Sequence, residues 1–202
     1  MNMPNKLTIL RIIIAPIFMY FFVNDDSFFV VEDYYMRLIA MFLFIIAALT
    51  DMADGYYARK YGIITGFGKF MDPLADKILV SAALISFIAL GYVSPLPVFL
   101  IIGREFSITG LRLLAAYRGV VISPTWWAKT KTFLQLSLVG VMLVYITLMD
   151  GLAFYNSPLF ETLQFDTRFY FNILMWLTAV ITVWTGIDYT VKYFYMLKTV
   201  LK

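Results

Sequence analysis

Four aspartates stand at fixed intervals in one stretch, Asp51-x-x-Asp54-Gly55-x-x-Ala58-Arg59, then eight residues, then Gly68-x-x-x-Asp72-x-x-x-Asp76. The stretch separates two apolar segments of a chain that is 62% hydrophobic. Carboxylates beside hydrocarbon are costly and tend to be kept where they do chemistry. Asp51, Asp54, Gly55 and Ala58 recur at i, i+3, i+4 and i+7, one stripe of a helix. Gly68, Asp72 and Asp76 recur at i, i+4 and i+8, a second stripe. Two such stripes face to face would place four negative charges around one point. Their repulsion calls for cations among them.

The donor set narrows the choice of cation. The chain has no cysteine and no histidine. That excludes a disulfide framework, a thiol nucleophile, a Ser-His-Asp triad and a His/Cys zinc site. Oxygen ligands favour Mg²⁺, Mn²⁺ or Ca²⁺. A general base is then expected to be a carboxylate or a lysine. Metals on oxygen, next to the basic Arg59 and Lys60, suit a diphosphate substrate. No glycine-rich phosphate loop is present, so a nucleoside triphosphate held in that way is not indicated. Gly55, Ala58 and Gly68 either let helices pack closely or leave room for a ligand against the backbone. Packing alone does not call for four acids beside them. Asp72-Pro73 could open a helix as N-cap and first residue, but a cap leaves Asp76 and the earlier pair unexplained.

The elements that must position these residues follow from hydropathy. Only 14% of the 202 residues are charged, which points to a polytopic membrane protein. Six apolar segments are legible, about 9–23, 38–53, 78–90, 96–116, 132–149 and 169–189, in one membrane-embedded domain covering 1–202. Residues 1–8 are expected to form a short interfacial piece, and the bulky residues after the first span argue against signal cleavage. A helix from Arg37 to Lys60 would be roughly 36 Å long and would set Asp51 and Asp54 one or two turns inside its end. The acids therefore belong near a membrane surface. Connections alternate between basic and acidic, so the positive-inside rule puts both termini and the aspartates on the cytoplasmic side. An odd number of spans would break that alternation. The net charge of +3 is read as cytoplasmic-side Lys/Arg, with no nucleic-acid partner.

The stretch from Asp51 to Asp76 resembles the full signature of the CDP-alcohol phosphatidyltransferases, D-x2-D-G-x2-A-R-x8-G-x3-D-x3-D, without departure. The resemblance implies an all-α bundle of six transmembrane helices. The implied activity moves a phosphatidyl or similar group from a CDP-linked donor onto an alcohol, with release of CMP. It implies Asp51, Asp54, Asp72 and Asp76 around a divalent site for two Mg²⁺ or Mn²⁺ ions, and Asp76 as general base. Thr8, Asp54, Gly55, Ala58, Arg59, Thr65 and Gly68 would bind the donor. Asn5 to Arg11, Arg104-Glu105-Phe106-x-x-x-Gly110-Leu111-Arg112, Lys129 to Thr132 and Thr185 to Tyr189 are similar to the bacterial phosphatidylglycerophosphate synthases within that family. That branch implies CDP-diacylglycerol as donor, glycerol 3-phosphate as acceptor, membrane lipid partners, a homodimer and the bacterial inner membrane. Arg112, Arg118, Lys129 and Lys131 are candidates for the acceptor phosphate, or else topology charges. Arg104 with Glu105 shapes the site or only holds helices together; the role of Asp188 is open. Another alcohol acceptor and a divalent-cation transporter are the alternatives.

Overall fold

A computed structural model describes residues 3–24, 33–61, 66–119, 126–160 and 167–200, with the side chains at 3, 4, 51–61, 66, 67, 69, 128, 192 and 194–200 outside the description. Among the described residues the chain is all-α. Its long helices are α1 (Met3–Val23), α2 (Asp33–Tyr61), α3 (Gly66–Ala89), α4 (Pro95–Tyr117), α5 (Trp126–Phe154) and α6 (Thr167–Val200). They correspond one to one with the six apolar segments. Among the described residues four are long and apolar enough to cross a membrane, over Asn5–Val23, Asp33–Thr50, Lys129–Phe154 and Thr167–Val191. The other two, α3 and α4, are set apart by charge: Asp72, Asp76 and Lys77 on one, Arg104, Glu105 and Arg112 on the other.

Two boundaries differ from the expectation. Residues from Met3 onward belong to α1 itself, with Pro16 inside the helix, instead of forming a separate interfacial piece. α3 begins at Gly66, twelve residues before its apolar run, so Asp72 and Pro73 lie inside it and Asp72 is not a cap. Charged residues there concealed the helix from a hydropathy reading. The early start keeps Gly68, Asp72 and Asp76 on one helical stripe.

The bundle is polar at one end of its core and apolar along the rest. On α1 the buried positions Thr8, Arg11, Ala15, Phe18 and Phe22 alternate three and four residues apart, one continuous stripe. That stripe packs on α2 and α3. Phe18 stacks with Phe22 at 5.4 Å, and Phe22 meets Phe87 of α3 edge-on at 6.0 Å. Val139, Met142 and Ile146 of α5 and Met175 and Ala179 of α6 complete the core. The outer surface is apolar too: Phe42, Leu49, Phe133, Val141 and Val180 are each more than half exposed. A water-soluble bundle would not tolerate such a surface, whereas lipid contact makes it neutral. Close packing, more than the hydrophobic effect, then drives association of the inner faces.

The α3–α4 connection is short and held by backbone hydrogen bonds. Gly91, at φ +73°, lets Tyr92 N–H reach Phe87 O at 2.9 Å and Gly91 N–H reach Ile88 O at 2.9 Å. Pro95 then opens α4, where its missing N–H costs nothing. Ser94 N–H donates to Asn172 Oδ1 at 3.0 Å, tying this turn to α6.

Candidate active site

The site is built from the polar ends of α1, α3, α4 and α5. Asp72 and Asp76 lie one turn apart on α3. Thr8 Oγ1, fully buried on α1, donates to Asp72 Oδ1 at 2.5 Å. That bond fixes one carboxylate oxygen, while Gly68 on the same stripe is buried. Asp76 is more open, with 41% of its side chain exposed. Positions 51, 54, 55, 58 and 59 fall in the last turns of α2, but their side chains lie outside the description, as does Thr65 altogether. The expected convergence of four carboxylates therefore falls only half within the described residues. The half that is described fits a hard divalent ion: carboxylate oxygens one helical turn apart, a hydroxyl in hydrogen-bond contact, and neither histidine nor cysteine in the sequence.

Two adjoining cavities open beside Asp76. One of about 340 Å³ is lined by Pro73, Asp76 and Lys77 from α3 and by Thr109, Arg112, Leu113 and Ala116 from α4. The other, of about 420 Å³, shares Lys77, Thr109 and Arg112 and adds Arg104, Glu105, Lys129, Thr132 and Tyr189 among its walls. Helical spacing explains the lining. Glu105, Thr109, Arg112 and Ala116 recur at i, i+4, i+7 and i+11, and Lys129, Thr132, Phe133 and Leu136 at i, i+3, i+4 and i+7. The second cavity holds four cationic walls against one acid, an arrangement that favours a dianion.

An ionic node forms part of that wall. Glu105 Oε2 accepts from Lys77 Nζ at 2.6 Å, and its Oε1 accepts from Arg104 Nη1 at 3.0 Å and from Lys131 Nζ. Lys77 Nζ also stands 3.5 Å from Asp76 Oδ2. Arg104 Nη2 donates to Thr185 Oγ1 of α6 at 3.3 Å. The node thus joins α3, α4, α5 and α6. Buried charge is tolerated only with such pairing.

The acceptor candidates part company here. Arg112 lines both cavities and Lys129 the second. Lys131 is 1% exposed and its ammonium is committed to Glu105. Arg118 is exposed at the C-cap of α4, where its N–H closes the last turn. Asp188 lies in α6 beside the buried Tyr189. Sequence reading did not single out Lys77 or Thr109. Lys77 could have been found from its place next to Asp76, and Thr109 from its place on the Glu105–Arg112 stripe. Tyr189 closes the Thr185–Tyr189 segment that the resemblance picked out, without a role, since an aromatic in an apolar run reads as core.

The sequence profile of the CDP-alcohol phosphatidyltransferase family matches residues 1–184, so the chain belongs to that family of membrane enzymes. It is 39% identical to the CDP-diacylglycerol–glycerol-3-phosphate 3-phosphatidyltransferase of Bacillus subtilis (strain 168), over 98% of each chain. A protein of the same name from Rickettsia bellii (strain RML369-C) is 35% identical over 93% of each chain. A probable phosphatidylglycerophosphate synthase of Mycobacterium tuberculosis (strain ATCC 25618 / H37Rv) is 33% identical over 95% of this chain and 81% of its own. These likenesses favour a transferase over a transporter.

Proposed function

We infer that this chain transfers the phosphatidyl group of CDP-diacylglycerol to glycerol 3-phosphate, giving phosphatidylglycerophosphate and CMP. The observation that carries this reading is the placement of Asp76 in a cavity it shares with Arg112 and Lys77, next to a second cavity rich in cations. A carboxylate base and a phosphate-binding wall are thereby within one site.

In the mechanism we propose, Asp76 takes the proton of the acceptor 1-hydroxyl. The oxygen then bonds to the phosphorus that carries diacylglycerol, and the bond from that phosphorus to CMP breaks, with CMP keeping the electron pair. Arg112 and Lys129 hold the acceptor phosphate, so the hydroxyl is presented to Asp76 in a fixed orientation. Thr8 orients Asp72 through its hydrogen bond. Asp51, Asp54, Asp72 and Asp76 would hold Mg²⁺ or Mn²⁺, which when bound neutralises the diphosphate and the departing CMP. Arg59, one turn past Asp54, would lie toward the donor phosphates. Gly55, Ala58 and Gly68 would leave room for the cytidine diphosphate, with Thr65 nearby. The acyl chains would stay in the bilayer. A homodimer in a bacterial inner membrane, with the site and both termini cytoplasmic, belongs to the same proposal.

The test is CMP release by the purified chain from CDP-diacylglycerol, across a panel of acceptors. Glycerol 3-phosphate is expected to be preferred, and a chelator to abolish turnover until Mg²⁺ or Mn²⁺ is returned. Preference for inositol phosphate, serine or phosphatidylglycerol would move the reading to another acceptor. Metal flux into liposomes without CMP release would replace it altogether.

A further inference from the structure

Lys77 stands between two carboxylates that have different duties. Its ammonium is 2.6 Å from Glu105 Oε2 and 3.5 Å from Asp76 Oδ2. An ammonium on a four-carbon stem has three donors and moves readily between acceptors. Were Glu105 uncharged, the nearest remaining anion among the described residues would be Asp76. A lysine seated fully on Asp76 would occupy the oxygens that must receive the substrate proton. Glu105 is well placed to prevent this, because it is itself anchored. Lys131, from α5, and Arg104 both bond its other oxygen. Arg104 is in turn fixed on α6: it donates to Thr185, and its stem lies so close to Gly186 that a Cβ there would come within 2.9 Å of Arg104 Cγ.

We propose that Glu105 is a positioning residue that holds Lys77 back from Asp76 and so keeps the base carboxylate open to the acceptor. This rests on the reading of Asp76 as general base. Glu105 acts through Lys77 and touches no reacting atom. The Arg104-Glu105 pair and the Thr185-Gly186 step of α6 are parts of one restraint.

The experiment compares kcat and the KM for glycerol 3-phosphate in the full-length protein and four variants: Glu105→Gln, the doubles E105Q/K77M and E105Q/K131M, and Asp76→Asn. E105Q is expected to lose roughly 10- to 100-fold in kcat with little change in KM, because the base is misplaced while the phosphate wall remains. E105Q/K77M is expected to regain several-fold in kcat over E105Q, since no ammonium is left to collapse onto Asp76. E105Q/K131M is expected to regain nothing. A merely structural role predicts the opposite, because Lys131 is the more deeply buried of the two stranded ammonium groups. Recovery from K131M as large as that from K77M, or recovery from neither, overturns the restraint while an inactive D76N leaves the base reading intact. A fully active D76N overturns both. Should E105Q fail to fold, Glu105→Asp, one methylene short of Lys77, takes its place in the same comparison with the same outcomes.

Discussion

Two ion-paired regions of this bundle look alike in outline and differ in setting. In one, Glu105 accepts from Lys77, Arg104 and Lys131 beside a cavity. In the other, Arg37 of α2 pairs with Asp150 of α5 among Tyr34, Tyr35 and Phe154. The second pair lines neither of the two cavities beside Asp76. It pins two helices, and nearby Tyr92 is a phenol whose pKa burial raises first and the Asp150 charge raises further. Tyr92 therefore stays neutral through neutral pH. Among the described residues the first region gathers three cations around Glu105 at the wall of a cavity, with Asp76 3.5 Å from Lys77. Cations gathered there favour the arrival of an anion. The lesson is that an ion pair away from the cavities acts as a structural pin, whereas one in a cavity wall also shapes a ligand's place.

Breaking the catalytic side should have the largest effect. Asp76→Asn should lower kcat by about 10²- to 10⁴-fold, the range for loss of a general base, with an unchanged unfolding temperature in detergent. CMP release and a thermal melt check both halves. Next, Arg112→Met should raise the KM for glycerol 3-phosphate roughly 10- to 100-fold, the worth of a charged hydrogen bond, with a smaller loss in kcat. A KM unmoved by this change would place the acceptor phosphate elsewhere.

On the side away from the cavities the readout should switch from activity to stability. Arg37→Met should cost about 1–3 kcal/mol, because it removes a charged hydrogen bond from the partly buried Asp150. Turnover at low temperature should be unaffected. Replacing both partners, as in R37M/D150L, should restore most of the stability. The smallest effects come from two glycines. At Gly151 an added Cβ would approach Tyr34 Cε2 to 2.8 Å, and at Gly186 it would approach Arg104 Cγ to 2.9 Å. Gly151→Ala should cost about 1 kcal/mol of stability and no activity. Gly186→Ala should shift Arg104 and cost about two- to fivefold in kcat with little loss of stability, since alanine favours the helix. If both glycines lowered stability alone, the distinction between the two regions would lose its support.

The existence and order of the six helices were written in the hydropathy pattern, since each helix turns an apolar face outward to lipid. The aspartate spacing also carried its message locally. Helical periodicity alone puts Asp72 and Asp76 on one stripe, wherever α3 packs. The family followed from the same residues. What sequence could not give was the allocation of the other charges. Arg112, Lys129 and Lys131 looked equivalent, yet Lys131 is consumed by Glu105 while Arg112 faces the cavities. Nor did it give the start of α3, because its first turns are too charged to read as a span. Periodicity acts within one helix and needs only neighbours in the chain. Which carboxylate an ammonium chooses depends on distances between α3, α4 and α5, and those exist only once the helices have packed.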